Sequence, residues 1–82
     1  MSVKVVGYYV DDGVKKEDAG TDDVFLVYEN YREDIGNFLE GYAPVGQHFN
    51  LKDEGYLDEC EKITKEEYKM LSEGFYTPKD YL

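Results

Sequence analysis

The chain carries one histidine, His48, and one cysteine, Cys60. These are the side chains nearest to acid–base or nucleophilic chemistry. A general base must stand within hydrogen-bond reach of the proton it removes. His48 follows Gly46-Gln47 with no acid or nucleophile at a useful spacing, so its expected role is structural, with the ring bonded to backbone or water. A thiol reacts as the thiolate, which positive surroundings favour. Cys60 instead has Asp58, Glu59 and Glu61 as neighbours, and their charge raises its pKa. Structural zinc takes four ligands, and His48 with Cys60 supplies two. An EF-hand loop needs oxygen ligands at positions 1, 3, 5 and 12 and Gly at 6. Asp11-Asp12-Gly13, followed by Glu17, Asp18, Asp22 and Asp23, does not meet that spacing and offers at most a loose divalent site. Paired carboxylates are plentiful, but glycosidase chemistry also needs a substrate cleft. There is no phosphate-cradling GxxxxGK[ST] loop. The expectation is a protein with no catalytic residues, no metal and no cofactor.

What the residue types do offer is acid together with aromatics. Nineteen Asp and Glu face nine Lys and Arg, a net charge of −10, alongside nine tyrosines and four phenylalanines. Such a balance argues against direct nucleic-acid binding, which displaces counterions with cationic groups, and equally against attraction to an anionic membrane surface. The acids do not form a tail: residues 1–41 hold ten acids and four bases, residues 42–82 nine and five. Net charge of this kind keeps a small protein soluble. It also lets a folded surface imitate a polyanion, with carboxylates set against Arg and Lys. Candidate partner-binding residues are Asp22, Asp23, Glu33, Asp34, Asp53, Glu54, Asp58, Glu59 and Glu61. Tyrosine is enriched in interface hot spots. Tyr31, Tyr42 and Tyr56 lie beside acids or at element ends, and Tyr31 and Tyr56 are the expected anchors.

The elements that must position these residues follow from periodicity. Eighty-two residues make one domain,. Leu, Ile, Val and Phe number 20 of 82, above the roughly 20% below which charged chains stay disordered. Residues 3–10 are β-branched and aromatic and predict a buried strand. Residues 11–23 predict a long polar loop that opens on a tight Asp12-Gly13 turn. Residues 24–31 predict a central strand, with Val24, Leu26 and Tyr28 on one face and Phe25, Val27 and Tyr31 on the other. Over 32–43 two readings compete. Ile35, Phe38, Leu39 and Tyr42 have helical spacing, but Gly36 and Gly41 each cost about 1 kcal/mol in a helix, which favours a turn at 32–36 and a strand over 37–43. Pro44 ends that strand or marks an edge, and Val45 to Phe49 are expected to stay extended past a bulge. Asn50 to Asp53 predict one helical turn before Gly55. Residues 56–63 predict a charged edge strand. Thr64 with Glu67 is a capping box, with Ile63 and Tyr68 at staple spacing, which predicts a helix over 65–73 closed by Gly74. Thr77-Pro78-Lys79-Asp80 predicts a terminal turn capped by Thr77, with Tyr76 and Tyr81 as its staple. The expected fold class is α+β: a small three- to four-stranded, mainly antiparallel sheet with one covering C-terminal helix.

The run Ala43-Pro44-Val45-Gly46-Gln47-His48, then Tyr56, then Thr64-Lys65-Glu66-Glu67-Tyr68 resembles a VGQH…TxxEY pattern of small uncharacterised bacteriophage and mobile-element proteins. The resemblance covers roughly residues 37–71 and marks Gly46, Gln47 and His48. It implies an extended chain before Gly46, an unusual backbone angle at that glycine, and a viral or mobile-element origin. It carries no activity.

The expected function is therefore a non-enzymatic accessory protein of phage or mobile-element type. It would bind and inhibit a host or defence protein through a basic surface made for nucleic acid, in the manner of anti-restriction or anti-CRISPR proteins. Two other readings stay open: an assembly module, such as a homodimer joined through tyrosine-rich sheet edges, and a small regulatory binder of a metabolite or ion. A single cysteine forms no internal disulfide, and neither a signal peptide nor an apolar run of membrane-spanning length is visible. The expected compartment is the cytoplasm of the host cell.

Overall fold

The computed structural model describes residues 3–51 and 54–82. Strands β1 (Lys4–Val10), β2 (Val24–Arg32), β3 (Gly36–Ala43), β4 (Gln47–Asn50) and β5 (Glu61–Ile63), with helix α1 (Lys65–Leu71), form an α+β fold. The sheet order is β4-β3-β2-β1-β5, antiparallel throughout. This is five strands rather than three or four. The difference arises at Pro44. The turn after β3, closed by Gly46 N–H to the Ala43 carbonyl at 3.1 Å, folds the chain back, so Gln47–Asn50 pairs with β3 instead of extending it.

Both faces of the sheet are covered. Tyr8, Val10, Val24, Leu26, Tyr28 and Tyr42 pack on one face against Ile63, Tyr68 of α1 and Tyr81. Tyr9, Phe25 and Val27 pack on the other against Cys60, Leu39, Phe49 and Leu57. β2 is thus buried on both sides, as its two apolar faces predict. A bulge in β1 makes the first face possible. Val5 pairs with Tyr28 and Gly7 with Val27, leaving Val6 as the extra residue. Strand side chains alternate, so an unbulged strand would place Val5 and Tyr8 on opposite faces; the extra residue returns both to one core.

The turn and strand reading of 32–43 holds. Ile35 N–H bonds the Arg32 carbonyl at 3.2 Å, Gly36 adopts φ 78°, and Ile35 is 57% exposed in the turn. Its helical spacing with Phe38, Leu39 and Tyr42 therefore builds no common face. The Asp12-Gly13 turn also forms: Val14 N–H reaches the Asp11 carbonyl at 3.1 Å, and Gly13 takes φ 84°.

Other expectations need correction. Residues 56–63 are not one strand: Glu54–Glu59 forms a 3-10 segment, and only Glu61–Ile63 joins the sheet, at its edge. Three residues per turn align i with i+3, which turns Leu57 and Cys60 together onto the second face. Asn50 ends β4 rather than capping a helix, while Lys52 and Asp53 of that expected turn lie outside the described residues. The capping box is present: Thr64 Oγ1 accepts from Glu67 N–H at 3.1 Å, and Glu67 Oε1 accepts from Thr64 N–H at 2.9 Å. The helix it starts ends at Leu71, short of 73, and Gly74 follows at φ 91°. In the last turn, Lys79–Tyr81, Pro78 holds the cap position and no side chain caps it. Thr77 Oγ1 lies 3.1 Å from the Tyr68 hydroxyl instead, and Tyr76 is 75% exposed rather than buried as a staple.

Gly41 faces Phe49 across β3 and β4, and a Cβ there would overlap the Phe49 ring, itself packed edge-on to Phe25. Gly41→Ala is expected to lower stability by about 1–3 kcal/mol, the usual cost of overpacking. A denaturant titration would read it as a lower midpoint at unchanged slope. Gly46→Ala, whose Cβ would meet only the Ala43 Cβ at 3.7 Å, is expected to leave the midpoint within experimental error.

Candidate functional site

Three strand ends meet at one end of the sheet: Val10 pairs with Val24 on one side and with Glu61 on the other. The chain leaving these ends is acidic. Asp11 and Asp12 follow β1, Asp22 and Asp23 precede β2, and Asp58 and Glu59 precede Glu61 of β5. The sheet register therefore gathers seven carboxylates that are scattered in sequence. Asp12, Asp22, Asp58, Glu59 and Glu61 are exposed; Asp11 and Asp23 are half-buried.

Hydrogen bonds fix this end. Asp11 N–H donates to the Asp23 carbonyl at 2.8 Å, and Gly20 N–H to Asp23 Oδ2 at 2.8 Å. Lys16 N–H donates to Glu61 Oε1 at 3.0 Å, while its ammonium meets Glu67 Oε2 of α1 at 2.7 Å. The Thr21 hydroxyl donates to the Leu71 carbonyl at 3.0 Å. The 11–23 loop is thereby tied to β5 and to both ends of α1. The Lys16 bond, then the Thr64 N–H, hold the Glu67 carboxyl below its ordinary range, and Glu67 in turn raises the Lys16 pKa. Burial, then the neighbouring Asp23, pushes the Asp11 carboxyl upward. Among the described residues no three His, Cys, Asp or Glu side chains converge as a metal would require.

The predicted residues divide between two places. Asp22, Asp23, Asp58, Glu59 and Glu61 come together here, with Glu54 at the start of the same 3-10 segment. Tyr56 joins them, 36% exposed, its ring 6.3 Å from Phe25 and its hydroxyl near the Asp12 backbone. Tyr31, Glu33 and Asp34 do not join. Tyr31 is the eighth of the nine residues of β2, and Glu33 and Asp34 follow its last; at about 3.3 Å per residue they are roughly 25–30 Å away. Asp34 is also paired with Arg32 at 2.8 Å. Asp53 lies outside the described residues. Asp11 and Asp12 belong to the cluster, although their sequence pattern points only to a loose cation site and, at Asp12-Gly13, to a turn.

The exposed apolar residues at this end were missed in the sequence. Thr21 holds the end of α1 beside Asp22, and there Met70, Phe75 and Tyr76 are 67%, 49% and 75% exposed. For Phe75 and Tyr76 the signal was Gly74, whose left-handed turn follows the helix and sends the next residues outward,. Most other tyrosines serve the core. Tyr42 is 2% exposed, so no partner reaches its ring; its hydroxyl donates to the Tyr76 carbonyl at 2.7 Å. Burial pushes the Tyr68 hydroxyl up to about 12. Burial, then the Tyr81 and Glu40 contacts, raises that of Tyr28.

The residues marked by the VGQH run are accounted for locally. Gly46 does not adopt a positive φ, which Gly13, Gly36 and Gly74 do, so the expected unusual angle is not there. Gln47 opens β4 opposite Ala43. His48 Nε2 lies 2.8 Å from the Tyr81 hydroxyl, a structural partner of a different kind from the backbone or water expected. Cys60 is buried, and burial is the main cause of its raised pKa. A bond from Tyr56 opposes it, and Asp11, rather than the sequence neighbours Asp58, Glu59 and Glu61, is the acid that adds to it; the Asp12 backbone lowers the pKa more than the Asp12 charge raises it.

No helix among the described residues is long and apolar enough to cross a membrane. No protein-family model, curated protein or solved structure matches the chain.

Asp11 supplies a pH test. Its folded pKa lies above the unfolded value of 3.8, so its contribution to stability is complete below that value and is lost as pH rises through the folded pKa. Asp11→Asn is therefore expected to melt higher than the parent at pH 7, with the gap closing as pH falls toward 3.8. Melting curves across that range check it; a constant gap would assign the effect to something other than ionisation. The raised, buried Cys60 thiol is expected to react with a thiol reagent at neutral pH more slowly than an unfolded control, by tenfold or more on the order of its lost thiolate and access.

Proposed function

We propose that this chain is a non-enzymatic accessory protein of phage or mobile-element type that binds and inhibits a host or defence protein, setting its acidic end against a basic surface made for nucleic acid. One observation carries the reading: Asp11, Asp12, Asp22, Asp23, Asp58, Glu59 and Glu61 are brought to one end of the sheet by strand register. Carboxylates fixed in place pair well with Arg and Lys because little side-chain and loop ordering remains to be lost on binding. Tyr56, and Phe75 with Tyr76 at the rim, add the aromatic contact that charge alone lacks,. The hairpin acids Glu33 and Asp34 stand outside this surface. The VGQH…TxxEY resemblance supports the proposed origin.

The test is capture from host lysate with the tagged chain, washed at low and high salt and read by mass spectrometry. A nucleic-acid-binding protein is expected to be retained at low salt and released at high salt, because screening weakens exposed charge pairs. Asp58→Lys with Glu59→Lys is expected to reduce its retention at least tenfold while the melting temperature stays near the parent's. The same reversal at Glu33 and Asp34 is expected to change retention less than twofold. Equal loss from both pairs would make net charge, not this surface, the determinant.

A further inference from the structure

β1 is paired along its length by β2, but β5 lines its other side only over residues 8–10. The cause is the capping box. After Ile63 the chain enters the cap at Thr64 and leaves the sheet edge as α1. Among the described residues no strand lies along residues 4–7 on that side. Four residues make about 13 Å of strand, whose alternate N–H and C=O groups point outward. Beside them opens a groove of about 480 Å3, lined by Val3, Val5, Val6, Lys62, Lys65 and Leu82 among others. Val6, the bulged residue, is 37% exposed at this edge. Gly7 offers no side chain, and the Lys62 aliphatic chain lies across it.

An open edge with an apolar floor is the arrangement that accepts an added strand. Its charge selects the occupant. In a chain where acids outnumber bases two to one, Lys62 and Lys65 line this groove against a single acid, Asp80; Lys4, at the start of the strand, has its side chain 81% exposed and 3.9 Å from Glu29. Lys65 donates to the Leu82 carbonyl at 2.6 Å, whereas Lys62 lies against Gly7 of the strand itself. Two copies pairing here would bring like charges together, which disfavours a homodimer through this edge. We propose that residues 4–7 of β1 form a strand-addition site for a short extended segment of another protein, rich in β-branched residues and carrying carboxylates. The segment continues the line of β5, with its backbone bonded to β1, its apolar side chains over Val5 and Val6, and a carboxylate at Lys62. This site is separate from the acidic end and does not depend on it.

The probe is a fluorescein-labelled Glu-Val-Glu-Val-Glu peptide, blocked at both ends, titrated with the intact chain and followed by anisotropy and by amide NMR shifts. Binding is expected to move the amides of residues 4–7 and to be at least tenfold tighter than for the Lys-Val-Lys-Val-Lys counterpart. Methylating alternate peptide nitrogens, which removes backbone donors without touching charge or the protein, is expected to weaken binding about tenfold. Lys62→Glu is expected to do the same, while Asp58→Lys with Glu59→Lys leaves it unchanged. No binding, binding indifferent to N-methylation, or shifts centred away from residues 4–7 would each overturn the proposal. So would concentration-dependent shifts at residues 4–7 without peptide, which would assign the edge to a second copy.

Discussion

The fold depends on Tyr81. Five strands at about 4.8 Å spacing span roughly 19 Å, whereas one helix covers about 10 Å. α1 has seven residues and packs on β1 and β2, so it leaves much of its face of the sheet bare. The segment that follows it covers the remainder, and Tyr81 is its fastening. Its carbonyl accepts from the Tyr8 hydroxyl at 2.7 Å, its ring stacks on Tyr28 at 4.6 Å, and its hydroxyl meets His48 Nε2 at 2.8 Å. One residue therefore joins β1, β2 and β4. Each polar tip in this aromatic layer has a partner, as buried hydroxyls require, and no buried side-chain polar atom among the described residues is left unpaired. A chain poor in leucine and isoleucine builds its core in this way, with tyrosine supplying area and hydrogen bonds together.

That fastening bears on the acidic end. Carboxylates held close repel one another, and a loop rich in them would spread if it were free. Here the 11–23 loop is tied to β5 through Lys16 and Glu61 and to α1 through Glu67 and Leu71. α1 stays on the sheet because Tyr68 is fully buried beside Tyr8, their rings 5.1 Å apart. The electrostatic surface is thus set by apolar packing on the opposite side of the backbone. Asp11 shows the cost: it is pushed toward its neutral form by burial and by Asp23, and the strand ends hold it in place regardless.

Much of this was legible in the residues. Thr64 and Glu67 make their reciprocal bonds, because a capping box is a local device and needs nothing distant. β2 was readable as a central strand from its two apolar faces. Gly36 and Gly41 decided 32–43 in favour of a turn and a strand, one through a left-handed backbone and the other through contact with Phe49. What failed depended on partners far away in sequence. Leu57 and Cys60 form a 3-10 turn because Tyr9 and Phe25 await them, and nothing within 56–63 says so. β4 needed the return at Pro44. The grouping of acids divided in the same way. Asp58, Glu59 and Glu61 are near in sequence, but their meeting with Asp22 and Asp23 is a matter of register, and the separation of Glu33 and Asp34 is a matter of strand length.

We propose that the acidic end occupies a surface made for nucleic acid. The most direct measurement is displacement: a captured partner is loaded with a fluorescent duplex, and the chain is titrated in. Release of the duplex as the chain binds, mutually exclusive occupancy, and a midpoint that rises steeply with salt are expected. A ternary complex of partner, duplex and chain, or a duplex that stays bound while the chain binds, would contradict it.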